Sequence, residues 1–284
     1  MSRYPHVAGP DPTSDPLLAA LFAQLDARLH GTICCKLVYG SCLRGGDIYD
    51  GLLDLYLICD NYRAAYRRPL LAASNWLLPP NVFYAEQKPL DGGDKSKTLR
   101  SKVTVISLRD FQRGCSSSWF ESYIWGRFAQ PTRILCARNE QIRSEIETAL
   151  MRAAHTLLQR ALPALPPEGS VLDLWVQALS LSYATELRTE RPGRAQELAS
   201  SSQNFYAALT RQHASSFGFS FTLTGQDEAL HYSSEIGTFR RSITNVAWAL
   251  RRGQGKLLSI LRLIKALFTF EGGLDYIAWK LERH

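Results

Sequence analysis

The sequence predicts an α+β fold in which strands dominate the front half and helices the back half. Four apolar runs with the length and composition of strands lie before residue 110. Apolar residues at helical spacing take over from Asn139 onward, and a basic amphipathic stretch ends the chain. These observations predict a first domain at residues 1–137, a helical domain at 138–240 and a basic amphipathic segment at 241–284.

Local signals mark the individual elements. Apolar residues recur at helical spacing after Pro16, with Ser14 or Asp15 available as N-cap, which predicts a helix that ends near His30 and Gly31. The predicted strands are residues 33–39, 52–59, 81–85 and 102–108. The predicted helices of the back half begin near residue 139 and continue at 171–188, 196–211, 243–251 and 256–270.

The composition excludes several classes of protein. With 284 residues, of which 45% are hydrophobic and 21% charged, the chain can fill a core, so it is neither a disulfide-stapled miniprotein nor a disordered chain. The six cysteines form no CxxC pair and are predicted to be reduced thiols. The longest apolar run, residues 257–270, is interrupted by Arg262 and Lys265, so an integral membrane protein is not expected.

The positive charge of the chain is concentrated at its end. The net charge is +7, and residues 238–284 alone carry nine Lys and Arg against three Asp and Glu, a net charge of +6. A locally basic end indicates an anionic partner for that end, either a lipid surface or a nucleic acid.

The most informative segment is residues 39–59, which read YGSCLRGGDIYDGLLDLYLIC. An apolar strand ends in Gly40 and Ser41, a further glycine follows at Gly45, and Asp54 lies fourteen residues after Gly40 within the next strand. This order is typical of nucleotidyltransferases of the polymerase-β type. The alternative for the Gly-Ser pair is an ordinary turn at the end of a strand, whereas a single acid within LLDLYLI is costly to bury without a partner or a metal.

The residue types suit transfer of a nucleotidyl group. Gly40, which follows Tyr39, lets the backbone approach a triphosphate, and Ser41 can donate to phosphate oxygens. The Asp54 carboxylate is predicted to hold Mg²⁺, which neutralises charge as pyrophosphate leaves. Such sites usually have two carboxylates two residues apart, but Leu52 and Tyr56 flank Asp54 on its own face. The remaining candidates for a second ligand are Asp47, Asp50, Asp60 and Glu86.

Five segments follow one another along the chain: YGS with LDL at 53–55, KVTVIS at 102–107, YIWGRF at 123–128, SYATELR at 182–188 and KALFT at 265–269. In this order they resemble the motifs of one family, the mitochondrial-type phosphatidate cytidylyltransferases, or CDP-diacylglycerol synthases of the translocator assembly and maintenance type. The chain departs from the family pattern at Gln130, where the family has lysine, and at Thr185 and Glu186, where it has glycine and aspartate. Residues 60–81 are also shorter than in the family and lack its His-Tyr-Ser element.

The resemblance implies a polymerase-β-like domain that transfers CMP from CTP to phosphatidic acid, with Mg²⁺ as cofactor. It also implies that the single aspartate of the strand is a family trait, and that Lys102 and Arg127 contact phosphate groups of the nucleotide or of the lipid. Without the resemblance, Lys102 is an edge-strand charge that discourages strand pairing, and Arg127 is a surface or salt-bridged residue.

The end of the chain is predicted to reach the lipid. Within residues 256–270, apolar side chains share one helical face, and Arg262 and Lys265 lie on the other. We expect Arg262, Lys265 and Phe268 to contact an anionic membrane surface, which makes the protein a peripheral membrane protein on the cytoplasmic side. The alternative is a helix packed against its own domain. Two other functions stay open: nucleotidyl transfer to another acceptor such as an RNA end, and a catalytically silent nucleotide-binding or lipid-binding protein.

Overall fold

The chain is described by a computed structural model that covers residues 4–7, 12–44, 47–49, 51–89, 97–187, 191, 193–226 and 229–269. It divides into two compact units. The helical unit contains Met1–Val7, Gln112–Pro131 and Glu145–Ile260, and the sheet unit contains Ala8–Phe111, Thr132–Ser144 and Leu261–His284. The domain boundaries predicted at residues 137 and 240 stay predictions.

The described elements confirm the α+β class. In the first part of the chain they are α1 Pro16–Arg28, β1 Ile33–Tyr39, β2 Leu53–Cys59, α2 Tyr62–Ala65, α3 Pro69–Leu77, β3 Asn81–Gln87, β4 Leu99–Ser107, α4 Leu108–Gly114, α5 Tyr123–Phe128 and β5 Thr132–Ala137. In the second part they are α6 Glu140–Ala161, β6 Glu168–Ser170, α7 Val171–Tyr183, α8 Arg194–Ser201, α9 Gln203–His213, β7 Ser220–Thr224, β8 His231–Glu235 and α10 Thr238–Thr269.

The sheet unit is built on a five-stranded mixed sheet with the order β3-β4-β2-β1-β5. Strands β2 and β4 are parallel, and the other neighbours are antiparallel. All residues of β1 are buried, which explains its nearly continuous apolar sequence. Helix α1 begins as predicted, because the Asp15 carboxylate accepts hydrogen bonds from the amides of Leu17 and Leu18.

The helical unit has an aromatic core and a small sheet of its own. Trp125 and Trp248 meet edge to face with ring centroids 5.8 Å apart, and the indole N–H of Trp175 donates to the Thr210 hydroxyl at 2.8 Å. Beside them, β6, β8 and β7 form an antiparallel sheet in that order. The four strands predicted in the front half are present, whereas β5 and this small sheet are additional to the prediction.

Helix α10 is continuous over 32 residues, where two separate helical segments were predicted. The glycines between those segments do not interrupt it. A side chain at Gly255 would place its Cβ 2.4 Å from the carbonyl oxygen of Thr185, so the glycine permits close packing of the helix against this backbone. Within the described part of the chain, no helix combines the length and the apolar character required to cross a bilayer.

Candidate functional site

The corner between β1 and β2 brings together most of the predicted nucleotide site. Tyr39 and Asp54 are directly opposite residues of the antiparallel pair, and Gly40 follows with φ +93°. A Cβ on Gly40 would lie 3.1 Å from Oδ2 of Asp54. The backbone conformation and the closeness of the carboxylate both favour glycine at this position. The Asp54 side chain is half-buried beside it.

Register across the sheet places a second predicted residue next to Asp54. Lys102 on β4 is the in-register neighbour of Asp54 on the parallel strand β2, and Tyr84 on β3 is the neighbour of Lys102. Thr132 on β5 lies opposite Tyr39 on the other side. Residues in register on adjacent strands project to the same face of a sheet. We call Thr132, Tyr39, Asp54, Lys102 and Tyr84 the polar row.

Two further residues share this face: Arg100, which was not among the predicted site residues, and Glu86, which was one of the four candidates for a second metal ligand. Arg100 lies two positions before Lys102 on β4, and Glu86 is its partner on β3, so both project to the face of the polar row. The Glu86 carboxylate accepts a hydrogen bond from the Tyr84 hydroxyl at 3.0 Å and pairs with Lys88 at 3.3 Å. The signal for Arg100 was present in the sequence, because two cations at alternate positions of one strand share a face.

The structure separates the candidates for a second carboxylate. Asp60 follows the far end of β2, where it pairs with Arg138 at 2.8 Å. The carboxylate of Asp47 accepts the amide of Tyr49 at 2.9 Å. Asp50 lies outside the described residues. Glu86 is therefore the described candidate that shares a face with Asp54, two strands away from it.

The donor set at Asp54 suits a magnesium ion bound together with phosphate. Among the residues that the structure describes, no group of three or more His, Cys, Asp and Glu side chains could hold a metal ion. Mg²⁺ usually keeps several waters and is held by one or two carboxylates and the phosphates of a substrate. A single half-buried carboxylate beside a glycine corner fits this mode of binding, whereas it does not fit an all-protein cage.

Ser41 and Arg127 are the remaining residues that the sequence predicts to contact the nucleotide. Ser41 begins a 3-10 turn, Ser41–Arg44, directly after Gly40, and its side chain lies outside the described residues. Arg127 belongs to the helical unit, where its guanidinium lies 3.1 Å from the Glu186 carboxylate and 4.8 Å from the centre of the Tyr123 ring. The nucleotide contact predicted for Arg127 stays a prediction.

The motifs that contain Arg127 and Glu186 pack against each other within the helical unit. A side chain on Gly126 would come within 2.8 Å of Cβ of Ser182. The hydroxyls of Ser122 and Thr185 are 2.6 Å apart and buried. The structural role of these two motifs is therefore to join α5 to the end of α7.

Arg262 and Lys265, two of the residues predicted to contact lipid, donate hydrogen bonds to other residues of their own unit, the sheet unit. Nε of Arg262 donates to the carbonyl of Pro79 at 3.0 Å. Nζ of Lys265 donates to the side-chain oxygen of Asn75 and to the carbonyls of Leu78 and Pro80, all at 2.7 or 2.8 Å. These contacts fix the end of α10 to the end of α3. The side chain of Phe268 lies outside the described residues, and the lipid contacts of all three residues stay predictions.

Burial of Lys265 leads to a pH dependence of stability. Burial, and secondarily the nearby Arg262, lower the pKa of the Lys265 ammonium from 10.5 to about 7. Between these values the folded state binds fewer protons than the unfolded state, so the free energy of unfolding should rise as the pH is raised from 7 towards 10. Urea unfolding across this range should show the rise in the wild type and a weaker rise in Lys265→Met. Equal pH slopes in the two proteins would contradict the prediction.

Comparison with known proteins adds no relative. No family model matches the chain, and no curated protein matches it. The likeness to the cytidylyltransferase family therefore consists of the motifs described above, and the functional conclusion depends on the geometry of the polar row.

Proposed function

We propose that the protein is a nucleotidyltransferase that transfers CMP from CTP to phosphatidic acid, with CDP-diacylglycerol and pyrophosphate as products. The observation that carries this proposal is the position of Asp54 against Gly40 and in register with Lys102. A carboxylate, an ammonium group and a glycine corner at one place in the sheet are groups that can bind the phosphates and the Mg²⁺ of a nucleoside triphosphate. We further propose that the sheet unit is of the polymerase-β type.

The chain's own residues have separable roles in this reaction. Gly40 leaves room for phosphate oxygens to approach the backbone, and Lys102 and Arg100 place positive charge on the same face. Asp54 would hold Mg²⁺, which when bound supplies neutralisation of the negative charge on the phosphates. Catalysis of this kind depends on positioning and electrostatics.

The acceptor of the proposed reaction removes the need for a general base. An oxygen of the lipid phosphate forms the new bond to the α-phosphorus of CTP, and the bond from that phosphorus to pyrophosphate breaks. The second pKa of a phosphate monoester is about 6, so the group is already largely dianionic at neutral pH. The attacking oxygen therefore carries no proton that a general base must remove. A hydroxyl acceptor, such as an RNA end, would need that assistance.

Helix α3 provides a surface for contact with the lipid within the same unit. Its apolar side chains Leu70, Trp76 and Leu77 are 87%, 70% and 77% exposed. Arg67 and Arg68 directly precede the helix and are also exposed. Large apolar groups beside cations are typical of elements that bind the interface of an anionic membrane, where tryptophan is enriched. We propose that α3 contacts the membrane that contains phosphatidic acid.

The reaction can be tested directly. Protein incubated with CTP labelled in the α-phosphate, Mg²⁺ and vesicles containing phosphatidic acid should give a labelled product that is soluble in organic solvent. Vesicles without phosphatidic acid are the control, and ATP and GTP test the base preference. Absence of labelled lipid would contradict the proposal, and labelled RNA in a parallel reaction would favour the alternative acceptor.

The lipid contact can be tested by Trp76→Glu. This change removes an exposed apolar side chain and adds a negative charge, so binding to phosphatidic acid vesicles should weaken by about tenfold or more. Ala23→Glu is the matched control, because Ala23 is an exposed residue of α1 in the same unit, outside the α3 surface, and its replacement adds the same charge. Co-sedimentation with vesicles measures both variants. Wild-type binding by Trp76→Glu, or an equal loss in both variants, would contradict a specific role for Trp76.

A further inference from the structure

Helix α10 carries a regular apolar seam on its exposed side. The seam positions follow each other at alternating spacings of four and three residues, and six of the seven are large apolar residues. They are Phe239, Ile243, Val246, Leu250, Gly253, Leu257 and Ile260. The six large side chains are between 44% and 79% exposed, and all seven positions belong to the helical unit.

The seam lies on the side of α10 opposite to the one that packs on the helical unit. Trp248, Arg251 and Gly255 are buried. With 3.6 residues per turn, these three positions lie about half a turn away from the line through Val246, Leu250 and Leu257. The helix therefore has a buried face within its own unit and an apolar face that the unit leaves exposed.

We propose that this seam binds the same seam of a second copy of the chain, so that the protein is a two-fold symmetric dimer. Apolar residues that repeat every 3.5 residues along one helix are typical of pairing between helices. Ala247, Ala249 and Gln254, which flank the central part of the seam, are uncharged, and Gly253 within it is small. Neutral flanks around Leu250 allow two helices to approach closely there and place no like charges opposite each other, whereas the charged flanking residues Arg240 and Lys256 lie towards the two ends of the seam.

The dimensions of the seam agree with such an interface. Its 22 residues extend over about 33 Å of helix. The six large side chains together expose on the order of 600 Å², and a standard protein interface buries roughly 800 Å² on each partner. The seam with its flanks thus comes close to the area that a stable interface requires.

The charges on this part of α10 favour a protein partner over an anionic lipid. Arg240 donates to the carbonyl of Gly218, Arg241 to the carbonyls of Ile236 and Leu165, and Arg251 to the carbonyl of Phe120. The other described cations between residues 238 and 260 are Arg252, which is exposed on a different face, and Lys256, which is exposed and flanks the seam near its end. Cations held by backbone carbonyls of their own unit are less accessible to lipid headgroups.

The oligomeric state of the full chain tests the proposal. Sedimentation velocity without lipid or detergent, at about 1 to 100 μM protein, should show mass approaching twice 31.9 kDa as the concentration rises. Leu250→Glu should weaken the association at least tenfold, because it buries a charge in the seam. Asn245→Glu adds the same charge at an exposed position of α10 outside the seam and should associate like the wild type.

The outcomes are distinguishable. Leu250 is 61% exposed, so the circular dichroism melting curve of Leu250→Glu should match that of the wild type, and Val246→Glu provides an independent second variant. A monomeric wild type at all concentrations, or dimers that persist in both variants, would overturn the proposal. A monomeric wild type whose vesicle binding is lost in Leu250→Glu would overturn it in favour of a lipid-binding seam. A dimer in a protein without cytidylyltransferase activity would support the seam and contradict only the proposed reaction.

Discussion

Asp54→Asn should lower the rate of CDP-diacylglycerol formation by roughly 1000-fold, because it removes the negative charge that would hold Mg²⁺ while preserving the shape of the side chain. The fold should be unaffected, since Asp54 is only half-buried and the amide fits beside Gly40. Initial rates of labelled lipid formation measure the effect. If Asp54→Asn unfolds in urea like the wild type, the loss of rate is not caused by a loss of folded protein.

Asp60→Asn is the matched control for this experiment. Asp60 directly follows the same strand, but at its opposite end, where it forms an exposed pair with Arg138. Exposed pairs contribute little to stability, so this variant should retain the wild-type rate within about twofold. Comparable rates in Asp54→Asn and the wild type would refute the role of Asp54, and with it the proposed reaction at this site.

Trp125→Ala should have the largest effect on stability, lowering the free energy of unfolding of the helical unit by about 3–5 kcal/mol. Trp125 is fully buried, its ring meets that of Trp248, and its indole N–H donates to the carbonyl of Trp119 at 3.2 Å. The change leaves a large cavity, whereas the Trp119 carbonyl keeps its hydrogen bond from Arg160 at 3.0 Å. Urea unfolding followed by circular dichroism measures the loss.

Trp76→Ala is the control for the size of the residue removed. The Trp76 side chain is 70% exposed on α3, so its loss should change stability by no more than about 0.5 kcal/mol. A cost below about 1 kcal/mol for Trp125→Ala would mean that the aromatic core of the helical unit does not hold α5 to α10.

The sequence was sufficient for elements with strong local signals. Strand β1 has the predicted bounds because an apolar run lies between two glycines, Gly31 and Gly40. Strand β5 was missed because it is only six residues long, and Thr132 and Arg133 leave a short apolar run of four residues. Helix α10 was predicted as two segments because the low helix propensity of Gly253 and Gly255 is local, whereas the packing of Gly255 against Thr185 depends on tertiary structure.

For the site, spacing along the chain identified Gly40 and Asp54 because Gly40 directly follows β1 and Asp54 belongs to β2, the next strand along the chain. Strand order is not encoded in such spacing, so the parallel pairing that puts Lys102 beside Asp54 could be read only from the fold. The contacts of Lys265 show a related limit. Helical periodicity placed it on a polar face, but could not distinguish lipid headgroups from the carbonyls of Leu78 and Pro80.

The parallel pairing of β2 with β4 brings two charged groups of the polar row together across a long stretch of intervening chain. Asp54 and Lys102 are adjacent in the sheet, although α2, α3 and β3 lie between them in sequence. Under the proposed reaction, exchanges in the α2–α3 connection would alter the surface offered to the acceptor while the two charged groups keep their register. This connection would then be the part of the chain in which to engineer a different acceptor preference.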